Sequence, residues 1–344
     1  MAPPCSNLNY SALVSCIDTW NTLRVLVIGD AMLDCYLHGT AERLCQEAPV
    51  PVVALTDRQD RPGGAANTAA NLASLGARPQ LLSVIGMDEA GERLQRCLSD
   101  RAISTTSLLR SPERITLMKQ RIVAQSHLLL RLDQGSTTAI DSSLEQTLAQ
   151  QLREAYRHCD AVVISDYGYG VLTPALIAIL ATLQSESPRP IVLDAKHPSP
   201  YRSVGVTAVK PNYQETLRLL GLSSQEQDRV QQILPYRQRL LTLTGAALVI
   251  VTLDRDGVLL LTDGQPGLTA QHLPVEPAPA NHASGAGDTF VSALTLALAA
   301  QAQPEAAVAL AAAAAAVVVQ QPGTSVCAQQ ALRHQCLKQC LANV

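Results

Sequence analysis

Short apolar runs that end in polar residues recur along the chain, as expected for the buried strands of a parallel sheet. They are "LRVLVIGDAMLD" (23–34), "AVVISDY" (161–167), "PIVLDAK" (190–196), "VTAVKPN" (206–212) and "ALVIVTLD" (247–254). Between them, stretches such as "SSLEQTLAQQLREAY" and "TPALIAILATLQSE" place apolar residues three and four positions apart, which is typical of helices. Alternating strands and helices predict a layered α/β domain with ligands beyond the C-terminal ends of the strands.

Two regions break this alternation. Residues 35–61 and 107–132 contain "APVPVVAL" and "ITLMKQRIVAQSHLLLRLD", which are rich in β-branched or alternating residues without a long helix between them. They predict a smaller sheet outside the parallel core, either a lid over a site or an extension of the sheet edge. The alanine-rich segment 293–319 is interrupted by "AQAQPEAA", which favours two buried helices over one membrane span.

Composition narrows the classes of function. Hydrophobic residues make up 47% of the 344 residues and aromatic residues 3%, so the core must be aliphatic. The net charge is −3 and the basic residues are not clustered, which argues against a nucleic-acid partner. Nine cysteines without a CxxC pair predict reduced thiols in a cytoplasmic protein. The first residues, "MAPPCSNLNY", lack the pattern of a signal peptide.

The segment "NHASGAGDTF" (281–290) carries the first candidate chemistry. Gly285, Ala286 and Gly287 precede Asp288 and an apolar, helix-like run. A small-residue loop at a helix start presents unpaired N–H groups, which suit a phosphate, while Asp288 is placed to accept a proton from an attacking hydroxyl. The alternative is an ordinary loop in which Asp288 caps the helix.

A second small-residue turn lies in "RPGGAANTAANLASLG" (61–76). Gly63 and Gly64 would let a polyhydroxylated ligand approach the backbone, and Asn67 offers both a donor and an acceptor. The same pattern also fits a plain helix start with Asn67 facing solvent.

Further polar residues follow the predicted strands. They could hold sugar hydroxyls, bind a metal or cap turns, and the sequence leaves these roles open at this point. The residues are Asp30 and Asp34 after the first strand, Asn212 and Glu215 in "KPNYQE", and Thr252 and Gly257 in "TLDRDG".

The order of these motifs resembles that of the ribokinase-like (PfkB) sugar kinases, from about Arg24 to Arg333. The motifs on which this resemblance rests are "PGGAAN", "KPNYQE" and "GAGDTF". More narrowly, "VLVIGDAMLDCY", "EAPVPVV", "RPGGAANTAANLASLGA", "LLLRLD", "SDYGYG" and "QQPGTS" are similar to the heptose-7-phosphate kinase domain of ADP-heptose synthesis. The resemblance implies one ribokinase-like domain over residues 1–344, with a mostly parallel sheet flanked by helices and a small β-sheet lid. The nucleotidylyltransferase domain of the bifunctional enzymes is expected to be absent.

The resemblance also implies roles for individual residues. Asp288 would be the catalytic base, and the 285–287 segment would form the anion hole. Asn212 and Glu215 would bind the nucleotide phosphates and Mg²⁺, Glu215 through water, and Thr252 and Gly257 would lie along the ATP groove. The residues that would bind the sugar are Asp30, Asp34, Gly63, Gly64, Asn67, Lys119 and Arg131.

Three positions depart from the family pattern. Ser284 replaces a Thr but keeps the hydroxyl. His282 stands where an Asp is common near a monovalent-cation site, which leaves potassium dependence open. Tyr169 stands where the heptose kinases carry Lys, so a sugar phosphate would have to pair with other cations, for which Lys119, Arg121, Arg131 and Lys196 are candidates.

The implied function is transfer of phosphate from ATP, with Mg²⁺, to the anomeric hydroxyl of D-glycero-D-manno-heptose 7-phosphate. Two alternatives stay open: a kinase for another sugar, sugar phosphate or nucleoside, and a catalytically silent sugar- or nucleotide-binding protein. The expected partners are a small sugar or sugar phosphate and a second copy of the chain, paired through the lid, with neither nucleic acid nor membrane.

Overall fold

The structure is a computed structural model that describes residues 10–125, 127–224, 228–263, 270–274, 284–321 and 323–342. The strands in these ranges are, in chain order, β1 (Arg24–Gly29), β2 (Ala31–Leu44), β3 (Pro51–Gly64), β4 (Arg78–Gly86), β5 (Leu108–Ser111), β6 (Met118–Ala124), β7 (His127–Gln134), β8 (Ala161–Asp166), β9 (Ile191–Ala195), β10 (Ala208–Val209), β11 (Leu248–Thr252), β12 (Val258–Thr262) and β13 (Ala270–Leu273).

The α-helices lie between and after these strands. They are α1 (Tyr10–Asp18), α2 (Ala65–Ser74), α3 (Glu89–Ser99), α4 (Ser142–His158), α5 (Pro174–Glu186), α6 (Tyr213–Leu220), α7 (Arg229–Ile233), α8 (Arg237–Thr244), α9 (Ala286–Ala299), α10 (Pro304–Val318) and α11 (Gln329–Ala342).

The large sheet has the strand order β13-β12-β11-β10-β9-β8-β1-β4-β5 among the described residues. The seven strands from β11 to β5 are parallel, and β12 and β13 are added antiparallel at one edge. All five apolar runs of the sequence supply strands of this sheet, which confirms the predicted mostly parallel core.

Helices cover both faces of this sheet because side chains alternate along each strand. In β1, Val25 and Val27 pack on the face that carries α2, α9 and α10. Leu26 and Ile28 pack on the opposite face, against α4, α5 and α8. The two aliphatic cores hold the strands in register and fix the loops at their C-terminal ends.

The second sheet has four strands in the described residues, in the order β3-β2-β6-β7. It confirms the small sheet that the sequence predicts, and its strand β2 continues almost directly from β1. One segment differs from the expectation for 107–132: Leu108–Ser111 pairs parallel to β4 in the large sheet. The helix α3 between β4 and β5 makes this a β-α-β unit, which a short apolar tetrapeptide does not reveal.

The alanine-rich segment forms α9 and α10, as predicted. Their alanines let the two helices pack closely in the core beside α2. Within the described ranges, no helix is long and apolar enough to span a membrane.

Candidate active site

The candidate site lies where the C-terminal ends of the central parallel strands meet. Strand β1 lies between β4, its neighbour toward one edge of the sheet, and β8, its neighbour toward the other edge, so the strand order reverses at β1. Such a reversal leaves a crevice beyond the strand ends. Asp30 follows β1, Tyr167 follows β8, and α9 begins across this crevice.

The loop that starts α9 has the backbone form of an anion-binding turn. Gly285 is its N-cap residue, with φ of 85°, a left-handed conformation that favours glycine. A Cβ at Gly285 would approach Asn67 Nδ2 to 2.9 Å, so this position also lies close to α2. Ala286 and Gly287 form the first turn, whose N–H groups have no partners within the helix and carry the positive end of its dipole.

Asp288 lies in the same turn and is held by two side chains. Asn67 Nδ2 donates to Asp288 Oδ2 at 2.7 Å, and the Tyr167 hydroxyl donates to Oδ1 at 3.1 Å. Burial raises the pKa of Asp288 to about 7, although the hydrogen bond from Asn67 opposes the shift. A carboxylate with a pKa in this range is suited to exchange a proton near neutral pH.

Lys210 is a cation of the site that sequence reasoning missed. Its side chain is buried, its Nζ lies 3.3 Å from Asp194 Oδ1, and a Cβ at Gly287 would lie 3.6 Å from the same Nζ. Burial alone would lower the pKa of Lys210, but the carboxylates of Asp194 and Glu215 outweigh it and raise the pKa. Lys210 is therefore an ammonium beside the loop. The sequence did contain a signal for this pair, because Asp194 and Lys210 both lie near the C-terminal ends of predicted strands.

The residues predicted for the nucleotide lie at or just beyond the ends of the neighbouring strands β10 and β11. Asn212 Oδ1 accepts from the Glu215 amide at 2.8 Å, and Glu215 Oε2 accepts from the Asn212 amide at 2.9 Å, which forms a capping box at the start of α6. Thr252, at the end of β11, forms an isolated bridge with Asn212. Gly257 (φ 89°) lies in the next turn, where a Cβ would meet the Leu273 carbonyl oxygen at 2.1 Å.

Of the residues predicted for the sugar, Asp34, Gly63 and Gly64 lie in the strands β2 and β3 of the small sheet. Gly63 and Gly64 end β3, and Gly64 caps α2 with φ of 55°. A Cβ at Gly63 would lie 3.0 Å from Asp34 Oδ2, so the absence of a side chain at Gly63 lets this turn pack closely against Asp34. Asp34 is anchored by Arg121 Nη1 at 2.7 Å and by the Thr324 hydroxyl at 2.8 Å.

Asp30 has a different environment from the other predicted sugar ligands. It is 0% exposed, and its carboxylate accepts hydrogen bonds from the backbone amides of Tyr167, Tyr169 and Val171. Burial raises the pKa of Asp30 to about 6, against the effect of these amides. This geometry holds the 167–171 loop in place.

Two stacked tyrosines organise the cations near the crevice. The rings of Tyr167 and Tyr169 lie 6.3 Å apart and are nearly parallel. Lys119 Nζ lies 5.1 Å from the Tyr167 ring centroid, and Lys196 Nζ lies 4.8 Å from that of Tyr169. Tyr169 thus offers an aromatic face against which Lys196 lies. Arg131 lies apart, exposed on β7 and paired with Asp133 at 2.9 Å.

Of the departures, Ser284 lies 3.4 Å from both Arg121 Nη2 and Thr324 Oγ1. The retained hydroxyl is thus linked to the network around Asp34. His282, on which the question of potassium depends, lies outside the described residues.

A cavity of about 190 Å³ lies between the α9 turn and the ends of the central strands. The acidic residues Asp288, Asp194 and Glu215 line it together with Lys196 and Lys210. The remaining lining residues are Asp166, Tyr167, Asn212, Gly285 and Gly287. A proton acceptor, an amide-lined loop and a buried cation around one space can support attack of a hydroxyl on a phosphoryl group.

The donor set also fits a divalent cation shared with a phosphate. Among the described residues, no cluster of three His, Cys, Asp or Glu side chains could hold a metal on its own. Asp194 and Glu215 nevertheless present carboxylate oxygens to the cavity. Mg²⁺ commonly binds one or two carboxylates and completes its shell with water and phosphate oxygens.

Comparison with known proteins gives consistent matches over most of the chain. A family described as pfkB family carbohydrate kinase matches residues 22–331. The bifunctional protein HldE of Alcanivorax borkumensis is 40% identical over 321 residues, which cover 92% of this chain and 64% of that protein. HldE of Desulfatibacillum aliphaticivorans is 33% identical over 326 residues, covering 95% and 65%. The chain thus spans less than two thirds of these relatives.

Solved structures show the same fold at low sequence identity. Phosphofructokinase-2 from Escherichia coli in complex with potassium superposes with a TM-score of 0.75 at 20% identity, covering 92% of this chain and 99% of that chain. Ribokinase from Arabidopsis thaliana, complexed with ribose and ATP, gives 0.68 at 20% identity, covering 92% and 98%.

Proposed function

Because the chain belongs to the pfkB family of carbohydrate kinases, we propose that it transfers the γ-phosphoryl group of ATP to the anomeric hydroxyl of a heptose 7-phosphate. The observation that carries this proposal is the arrangement around Asp288. Its buried carboxylate, the amides of the 285–287 turn and the Lys210 ammonium border one cavity.

Each of these groups has a distinct task in the proposed reaction. Asp288 takes the proton from the attacking hydroxyl, while Asn67 and Tyr167 hold the carboxylate in position. The 285–287 amides and Lys210 stabilise the negative charge that spreads over the transferring group. Since these donors are fixed before the substrate binds, little reorganisation is needed in the transition state.

Asn212 and Glu215 are the proposed contacts for the nucleotide phosphates, with Thr252 and Gly257 further along the ATP groove. Glu215, through water, and Asp194 are the oxygen ligands available to Mg²⁺. When bound, Mg²⁺ would neutralise charge on the phosphates.

Two kinds of evidence support a phosphorylated heptose as the acceptor. The motifs "EAPVPVV" and "LLLRLD" resemble those of heptose-7-phosphate kinases, and the chain is similar to the bifunctional proteins HldE. In addition, Lys119 and Lys196 lie on the faces of the tyrosine pair at the crevice. These two ammonium groups can pair with the sugar phosphate in place of the lysine that Tyr169 replaces. Gly63, Gly64 and Asp34 are the proposed contacts for the sugar hydroxyls.

The proposal is tested by ADP release from ATP and Mg²⁺ with a panel of acceptors. We expect heptose 7-phosphate to give the highest kcat/KM, above free sugars, other sugar phosphates and nucleosides. Higher activity with another acceptor would retain the kinase and reject the heptose phosphate. ATP binding without turnover on any acceptor would indicate a silent binding protein.

The pH dependence of turnover should report Asp288. Because burial raises the pKa of Asp288 to about 7, the base is protonated below this pH and active above it. We expect kcat/KM for the sugar to rise with pH through a limb near 7 and then to level off. A profile that is flat between pH 5.5 and 8.5, measured away from saturation, would remove Asp288 from the role of base.

Lys119 and Arg131, both predicted to bind the sugar, should behave differently when substituted. Lys119→Ala removes an ammonium at the crevice, so KM for a phosphorylated sugar should rise roughly tenfold or more, as expected for a lost charge-assisted contact. KM for ATP should change little. Arg131→Ala is the matched control, since Arg131 is exposed and pairs with Asp133. Equal effects of both substitutions on KM for the sugar would contradict this assignment of Lys119.

We also propose that two copies pair through the small sheet, as a lid over both sites. In β7, Leu128, Leu130 and Leu132 are 57%, 49% and 44% exposed. Burying such a strand face against a second copy would remove apolar surface from water. Sedimentation should show a dimer that Leu130→Asp weakens and the neighbouring exposed change Arg131→Ala does not. A monomer in the native protein would rule out the pairing.

A further inference from the structure

A second and larger cavity, of about 410 Å³, lies between the C-terminal turns of α4 and α5. The two helices end just before β8 and β9 begin. The cavity therefore faces the N-terminal ends of these strands, whereas the candidate active site lies beyond their C-terminal ends. It is separate from the groups that carry the proposed phosphoryl transfer.

Three arginines line this cavity, and within the described part of the chain their guanidinium groups make few hydrogen bonds. Arg189 Nε is buried and has no hydrogen-bond partner in the described part of the chain. Arg153 makes one long bond, of 3.4 Å, to the Ala149 carbonyl oxygen. Arg157 pairs with Glu154 at 3.3 Å in a largely exposed contact. Glu186 is the acidic residue among the lining side chains, so the cavity carries an excess of positive charge.

The inner wall of the cavity is held in a fixed geometry by Gln184. Its side chain donates to the Arg189 carbonyl oxygen at 2.9 Å and accepts from the Arg189 amide at 2.9 Å. The Tyr156 hydroxyl donates to the same Gln184 oxygen at 2.5 Å. Burial raises the pKa of Tyr156 to about 12, so this hydroxyl stays protonated. These bonds fix the backbone from which the Arg189 side chain extends to the cavity wall.

Helix ends offer a simpler reason for arginines here. The C-terminal carbonyl groups of α4 and α5 attract cations, and Arg153 and Arg157 would serve that purpose without any ligand. This reason does not account for Arg189, whose buried Nε points to neither a carbonyl group nor a carboxylate in the described residues. A buried guanidinium donor without a partner costs free energy unless something binds it.

We propose that this cavity is a second anion site, which binds the phosphate group of a small phosphorylated molecule through Arg153, Arg157 and Arg189. Guanidinium groups bind phosphate oxygens through paired N–H donors. The volume falls within the range of roughly 300–1,000 Å³ usual for small-molecule sites. The site thus has space for a phosphate ester or a diphosphate, and the apolar faces of Ile179 and Leu183 border the rest of the ligand.

Calorimetric titration at low ionic strength tests this site, with inorganic pyrophosphate and ribose 5-phosphate as the two probes. The proteins are the native chain, Arg157→Met/Arg189→Met, Arg157→Lys/Arg189→Lys, and the surface control Arg239→Met on α8. We expect at least one probe to bind the native chain and the control equally, and the Met pair to weaken that binding at least tenfold. The Lys pair should retain part of it. Stronger binding of ribose 5-phosphate would indicate an ester ligand, and stronger binding of pyrophosphate a diphosphate.

Binding of a probe at another site, such as the α9 loop, would not be affected by these substitutions. It would therefore be observed equally in all four proteins. The proposal is overturned if neither probe binds, if all four proteins bind alike, or if Arg239→Met weakens binding as much as the Met pair. Amide hydrogen exchange of the native chain gives a readout that needs no variant. Saturating probe should slow exchange in residues 150–158 and 182–189, and unchanged exchange there would also overturn the site.

Discussion

Asp288→Asn should lower kcat roughly 10²–10⁴-fold, because it removes the group that accepts the proton while it keeps the shape of the side chain. The amide oxygen that this substitution introduces can still accept the hydrogen bond from Asn67, so the α9 loop should retain its position. KM for ATP should therefore stay close to the native value. Steady-state rates at pH 8 with the preferred acceptor give the comparison.

The stability of the same variant provides its control. Since burial raises the pKa of Asp288 in the folded state, ionisation of this group costs stability as pH rises from about 4 to about 7. Asp288→Asn should consequently melt no lower than the native protein at pH 8. Asp100→Asn, at an exposed helix end, should leave kcat unchanged. A folded Asp288→Asn protein with near-native turnover would disprove the base assignment.

Lys210→Met should produce the second large effect, a fall in kcat of roughly 10²–10³-fold, which is typical for the loss of one preorganised donor to the transition state. Met has a similar length but no charge, so the transferring phosphoryl group loses a cation beside the Gly287 turn. Rates at saturating ATP, and separately KM for ATP, distinguish this loss from weakened nucleotide binding.

Removing Lys210 also leaves Asp194 without its buried partner, which can lower stability by itself. The melting temperature of Lys210→Met, compared with that of the native protein, separates this loss of stability from the loss of kcat. Lys338→Met, on the exposed surface of α11, serves as the charge control. If Lys210→Met, folded at the assay temperature, kept near-native turnover, Lys210 would have a structural role only.

The large sheet was predictable from the sequence because its strands are buried on both faces. A run such as "AVVISDY" is apolar at consecutive positions, and polar residues mark the point where it reaches solvent. The short strand Leu108–Ser111 was assigned to the other sheet because four residues carry too little pattern to show their partner. Pairing depends on tertiary contacts that local sequence does not encode.

The candidate site was predictable to the extent that its residues follow strands or glycine turns. Asp288 and the 285–287 turn lie together as expected from such a turn, and Asn67 reaches Asp288 across 221 positions, a contact that no spacing could reveal. Asp30 shows what a strand-end pattern does not reveal: its carboxylate accepts hydrogen bonds from three backbone amides. Tyr169 departs from the family pattern, and the sequence alone suggests that a cation is lost there. In the structure its ring lies against Lys196, so a cation is still present at this position.

The identity of the product tests the central claim most directly. Purified protein, ATP, Mg²⁺ and heptose 7-phosphate should yield ADP and a heptose bisphosphate, and ³¹P NMR should place the new phosphate on the anomeric carbon. Asp288→Asn should give this product only slowly. Absence of the bisphosphate under conditions in which the same protein phosphorylates an unphosphorylated sugar would contradict the account.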